Sequence, residues 1–170
     1  MNSNTTDEWF PVVDEDGNEI SRALRSVCHD GKSMLLHPVV HLHLLSKDKK
    51  IFLQKRAMTK DLFPGYWDTS VGGHLSPGES IEDALKRETQ EELGLKVLEY
   101  IFLRKYIWES PRERELVYSF TGNTPEIPVP NKDEIEEGRY WNLDEIRGKL
   151  GKDVFTPNFE YEFRFLSLSF

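Results

Sequence analysis

Cysteine is nearly absent: Cys28 is the only one among 170 residues. A single thiol excludes an intrachain disulfide framework and fits a reducing compartment. No apolar run approaches the roughly 18 residues that a membrane-spanning helix needs. The segment Met1 to Asp7 is polar and lacks the apolar core of a signal peptide. Positive charge is in deficit, with 22 Lys and Arg against 30 Asp and Glu and a formal net charge of -8. Without a basic block, a nucleic-acid polymer is a poor partner. Repeats and low-complexity linkers are also missing. The expectation is one domain over 1–170, with 1–7 as a loose tail, cytoplasmic and not bound to a membrane.

Apolar payload is present. Hydrophobic residues make up 38% and aromatics 12%, enough for a core without metal or disulfide staples. The chain's acidity does not exclude phosphate ligands, because a bound cation can supply the local positive charge.

Several segments read as strands. Phe10 to Asp14 is followed by the turn signal Asp16-Gly17. Ser21 to Cys28 reads as a short helix. Pro38 to Leu45 alternates, with Val39, His41, His43 and Leu45 on one face and Val40, Leu42 and Leu44 on the other. Lys47-Asp48-Lys49 is a charged turn, and Ile51 to Gln54 continues beyond it, so the two strands are expected to form a hairpin. Trp67 to Val71, Leu98–Trp108, Glu115–Gly122 and Arg139 to Trp141 complete the strands. Asn142 with Glu145 has the form of a capping box. Strands and helices mix without regular βαβ alternation, which predicts a mixed sheet flanked by helices. Phe63, Tyr66 and Trp67 are read as loop packing, and His41 and His43 are given no role.

One helix stands out, from about Ser80 to Leu93. Ser80 suits the N-cap, Glu82 and Asp83 the first turn, and Gly94 the stop. Its apolar stripe, Ile81, Ala84 and Leu85, runs on into Glu88, Glu91 and Glu92. Like charges at these spacings repel. On a buried face they also need a compensating partner, and a hard divalent cation is one.

The run Gly73 to Leu95 resembles the Nudix box, matching eight of its nine defining positions over 23 residues. The departure is Thr89, where the family has an aliphatic residue. The resemblance implies the Nudix fold, an α+β (α/β/α) sandwich, and hydrolysis of a diphosphate linkage in a small molecule of the nucleoside-diphosphate type. It implies Mg2+, with Mn2+ as the alternative, and often a homodimer. It assigns Glu88, Glu91 and Glu92 to metal binding or water activation, Glu79 to a pairing with Arg87, and the Gly72 carbonyl to the metal.

A second resemblance extends beyond the box. Leu36-His37, Gln54-Lys55-Arg56-Ala57, Phe63-Pro64-Gly65-Tyr66-Trp67, Gly73-His74 and Glu113-Arg114-Glu115 resemble type I isopentenyl diphosphate isomerase, which shares the fold. This implies metal ligands at His37, His74, Glu113 and Glu115, with His29 a looser match, and diphosphate contacts at Arg56 and Lys60, with Lys55 a weaker candidate. The isomerase carries an acidic cysteine just before its Gly-His pair, where this chain has Gly72. The sequence therefore resembles a hydrolase-type relative on the isomerase branch, with isomerisation as the alternative activity.

Overall fold

The computed structural model describes residues 7–166, so most of the expected tail lies outside the described residues. The elements are β1 (Trp9–Val13), β2 (Glu19–Leu24), α1 (Arg25–Cys28), β3 (Leu36–Leu44), β4 (Ile51–Arg56), β5 (Trp67–Asp68) and β6 (Val71–His74). They continue with α2 (Ile81–Leu93), β7 (Glu99–Glu109), β8 (Arg114–Asn123), β9 (Ile135–Trp141), α3 (Leu143–Arg147) and α4 (Pro157–Leu166).

A four-stranded sheet runs β6-β3-β8-β7, with β3 and β8 parallel and the other pairs antiparallel. A three-stranded sheet runs β5-β4-β9, and β1 pairs with β2. The mixed sheet with flanking helices is as expected, in three layers. On one side, Ala84, Leu85 and Leu93 of α2 pack on Val40, Leu42, Leu44 and Phe52. On the other, Ile146 of α3 and Phe159, Phe163 and Leu166 of α4 pack on Ile51, Leu53 and Trp67.

Four local expectations are corrected. β3 and β4 do not form a hairpin; they join different sheets, with only a Leu45–Ile51 bridge between them. Ser70 separates them, its Oγ accepting from Leu44 N at 2.8 Å and donating to the Phe52 carbonyl. Ser21 to Leu24 is strand rather than helix, because Phe10 and Ala23 bury together across the β1–β2 pair. The strand expected over Trp67 to Val71 breaks at Thr69-Ser70, whose hydroxyls bond the Leu42 and Phe52 carbonyls. Asn142 sits at the N-cap of α3 without a side-chain capping bond, and Glu145 pairs with Arg139 at 2.8 Å instead. The helix α4 had no counterpart in the sequence reading.

Candidate active site

The helix α2 forms as its sequence dictates. Ser80 Oγ accepts from Asp83 N at 3.1 Å, and Gly94 ends the helix in the left-handed region at φ 67°. Thr89, the departure from the motif, is buried and donates its hydroxyl to the Leu85 carbonyl at 2.6 Å. The apolar stripe fixes the helix roll, which brings Glu88 and Glu92 to the edge strand β6. A Cβ on Gly73 would stand 2.1 Å from the Glu88 carboxyl carbon, so only glycine admits Glu88 there. Glu92 Oε2 accepts from Gly72 N at 3.1 Å and from Gln54 Nε2 at 3.0 Å. Gly72 thus directs its N–H away from the β3 ladder, and its carbonyl points the same way along the strand edge.

Arg87 braces this group. Its guanidinium donates to Glu79 at 2.7 and 3.0 Å, to Glu88 at 2.7 Å, to Glu91 at 3.2 Å and to the His74 carbonyl at 3.0 Å. The expected Glu79–Arg87 pair is present. The three carboxylates are not equivalent, however. Glu91 has 58% of its side chain exposed, while Glu92 is only 7% exposed. Burial raises the Glu88 carboxyl to about 7 against the pull of Arg87. Burial and the Glu88 charge raise Glu92 to about 8. Both are carboxylates that lack sufficient positive charge.

Across β6 a second group assembles from four segments. His29 follows α1, His37 lies on β3, His74 ends β6, and Glu113 precedes β8. One ligand atom from each lies within 4.8 Å of every other. Nε2 of all three histidines and Oε2 of Glu113 are buried without a well-formed hydrogen bond, although His29 Nε2 stands 2.7 Å from Glu113 Oε2. His37 Nδ1 lies 2.9 Å from the Leu35 carbonyl, a contact that fixes the ring with Nε2 toward the cluster. Phe10 stacks on His74 with centroids 4.3 Å apart. Glu115 flanks the group, 3.7 Å from His74 Nε2, and burial with the Glu113 charge raises its carboxyl to about 7. Burial opposes ionisation of Glu113, yet His29 and His37 hold it well below the usual carboxylate range. Orphaned imidazole nitrogens converging on a carboxylate fit a divalent metal. His29, the looser match, is a full member. Cys28 is buried against His37, behind the cluster.

Both groups open on one cleft of about 1080 Å³. Arg56 and Lys60 line it, but Arg56 is also tied to the Leu62 carbonyl and Asp68, and Lys60 lies 3.8 Å from Glu134. Lys55 pairs with Glu136 at 3.6 Å. Trp67, read as loop packing, is instead part of the core on β5, while Phe63 is partly exposed at the cleft. Sequence reasoning missed His41 and His43. Neither is idle: both bond the buried Glu162 of α4. The only signal was the shared strand face of His37, His41 and His43.

Residues 35–159 match the NUDIX domain, and the chain belongs to the Nudix family, a family of enzymes. Within it, the curated relatives lie on the isopentenyl-diphosphate-isomerase branch. The isopentenyl-diphosphate Delta-isomerase of Leifsonia xyli subsp. xyli is 40% identical over 158 residues, 88% of this chain and 83% of that protein. The isopentenyl-diphosphate Delta-isomerase of Agromyces mediolanus is 32% identical over 75% of this chain, and the match spans 65% of its length. Among solved structures, DR0079 from Deinococcus radiodurans superposes with a TM-score of 0.78 at 22% identity, covering 92% of this chain and 98% of that one. That likeness shows the shared fold.

Proposed function

We propose that this protein hydrolyses a diphosphate linkage in a small molecule, with Mg2+ as its cofactor and the α2 carboxylates as its machinery. The carrying observation is the pair Glu88 and Glu92, buried at the cleft with raised carboxyl pKa values beside a glycine that leaves Glu88 its space. A cation relieves that burial cost. Glu88, Glu92 and the Gly72 carbonyl are the residues that would hold it, with Glu91 at the exposed rim. The chemistry a divalent cation supplies there is positive charge against the phosphates and a lowered pKa for water. Arg87 and Glu79 fix the carboxylates, and one carboxylate accepts the proton of the attacking water as the bond from phosphorus to the leaving phosphate breaks. Arg56 and Lys60 face the same cleft and suit the substrate's negative charge.

The second reading is isomerisation of isopentenyl diphosphate. The names of the relatives and the cluster of His29, His37, His74 and Glu113 favour it. Gly72 opposes it, because glycine has no side chain to deliver a proton to an alkene. The two are separated by assaying nucleoside diphosphates, nucleotide sugars, dinucleotides and prenyl diphosphates with Mg2+ or Mn2+. Cleavage to two phosphate products, a phosphomonoester with either a second phosphomonoester or free phosphate, supports hydrolysis. Deuterium uptake from D2O into an intact prenyl diphosphate would establish isomerisation.

A further inference from the structure

The four-stranded sheet carries a second polar group on the face covered by α4. Glu162 is fully buried there. Its carboxylate meets His41 Nδ1 at 2.8 Å and His43 Nε2, and it accepts from the Tyr106 hydroxyl and from Ser119 Oγ at 3.1 Å. Three of these partners end inside the protein. His43 is wholly buried, with Nδ1 turned to Thr69 Oγ1 at 3.1 Å. Ser119 is wholly buried, and the Tyr106 hydroxyl oxygen also lies 2.7 Å from the Asn158 side-chain amide.

His41 differs. Glu162 accepts from its Nδ1–H, and the buried carboxylate charge favours the imidazolium, so Nε2 also carries a hydrogen and the ring is fixed in orientation. Its side chain is 12% exposed, it lines the cleft, and Nε2 has no hydrogen-bond partner among the described residues. It pairs with Gly72 across β3 and β6. A Cβ placed on Gly72 would lie 3.7 Å from His41 Nε2 and 3.5 Å from Cδ2, ordinary contact distances. The imidazole therefore stands over the side-chain space that Gly72 leaves open. Gly72 and His74 stand two residues apart on β6, so their side-chain positions share one face of that strand, while the Gly72 N–H is held by Glu92.

We propose that His41 contacts the substrate, its Nε2–H donating to a diphosphate oxygen in the gap beside Gly72 while Glu162 holds the ring. The inference rests on the diphosphate reading above and adds a residue outside the α2 motif. A polar ring atom facing this gap suits phosphate oxygens better than a hydrocarbon chain.

Two amide substitutions separate contact from scaffold. His41→Asn places an amide nitrogen near the position of Nδ1, keeping the bond to Glu162 and losing the reach into the cleft. His41→Gln places one near Nε2, keeping the reach and losing the bond. The probe is methylenediphosphonate, a non-hydrolysable diphosphate, titrated calorimetrically in Mg2+, with the melting temperature measured alongside. His41→Asn is expected to melt near the wild type and to bind the probe about 10-fold more weakly. His41→Gln is expected to melt lower and to keep more of the affinity. Wild-type affinity in His41→Asn would overturn the contact and leave the hydrolase reading standing. Absence of Mg2+-dependent binding by the wild type would overturn both.

Discussion

The two sides of β6 solve the same electrostatic problem in opposite ways. On the α2 side, carboxylates crowd together, and Arg87 spreads its donors over Glu79, Glu88 and Glu91 while Glu92 receives only neutral donors. The Glu88 and Glu92 pKa values are driven up by burial. On the other side, three imidazoles surround Glu113 and hold its carboxyl down against burial. One side asks for a hard cation; the other offers nitrogen to a borderline one. The contrast suggests that turnover depends on the first side and that nitrogen-seeking metals bind at the second.

The sharpest way to break this contrast is to remove charge from α2. Glu92→Gln is expected to lower Mg2+-dependent turnover by about 10³-fold in a protein that remains folded by circular dichroism, with Glu88→Gln close behind. Glu91→Gln should cost least, because its carboxylate is largely exposed. Equal losses for all three in steady-state kinetics would show that burial does not rank them.

Next in size is Gly73→Ala, which drives a methyl into the Glu88 carboxyl group. Displacing a catalytic group by about 1 Å can cost about 10²-fold. Gly72→Ala meets only ordinary contacts within the protein, so it should leave Glu88 in place, and its loss should fall on KM, because the methyl enters the gap proposed for the diphosphate. If the two alanines behaved alike, the packing of Glu88 against Gly73 would have no catalytic weight.

On the opposite side, His74→Ala is expected to weaken Mn2+ or Zn2+ binding by about 10- to 100-fold, read by calorimetry. Its loss of turnover should be smaller than that of Glu92→Gln. Unchanged metal affinity would remove the cluster from the account.

The smallest effect is on stability. A carboxyl whose folded pKa is raised keeps a proton that the unfolded chain releases above its ordinary value of 4.5. Its stabilising contribution is complete below 4.5 and is lost as pH rises through about 8. The metal-free protein should therefore lose stability between roughly pH 5 and 8, and both Mg2+ and Glu92→Gln should flatten the slope. Denaturant titrations at several pH values would reveal this, and a slope unchanged in Glu92→Gln would contradict the raised pKa.

What was legible in the sequence follows the same division. The α2 side lies in one contiguous run, where cap, apolar stripe and carboxylates share a single helical period. The imidazole side is drawn from α1, β3, β6 and the turn before β8, so no local spacing betrays it, and only the resemblance pointed there. The β3–β4 hairpin was misread because a short charged turn looks the same whether it joins paired strands or two sheets held apart by Ser70. In α4, Phe159, Tyr161, Phe163 and Phe165 alternate as in a strand, which hides the helix. The contact of Glu162 with His41 spans 121 positions, beyond the reach of any motif.

The most direct test of the central claim is turnover of a cleaved diphosphate in H2 18O with Mg2+, followed by mass spectrometry of the products. The account predicts one 18O atom in a phosphate product, with Glu92→Gln suppressing its appearance. An intact diphosphate with no label at phosphorus, accompanied by deuterium uptake into a prenyl chain in D2O, would contradict it.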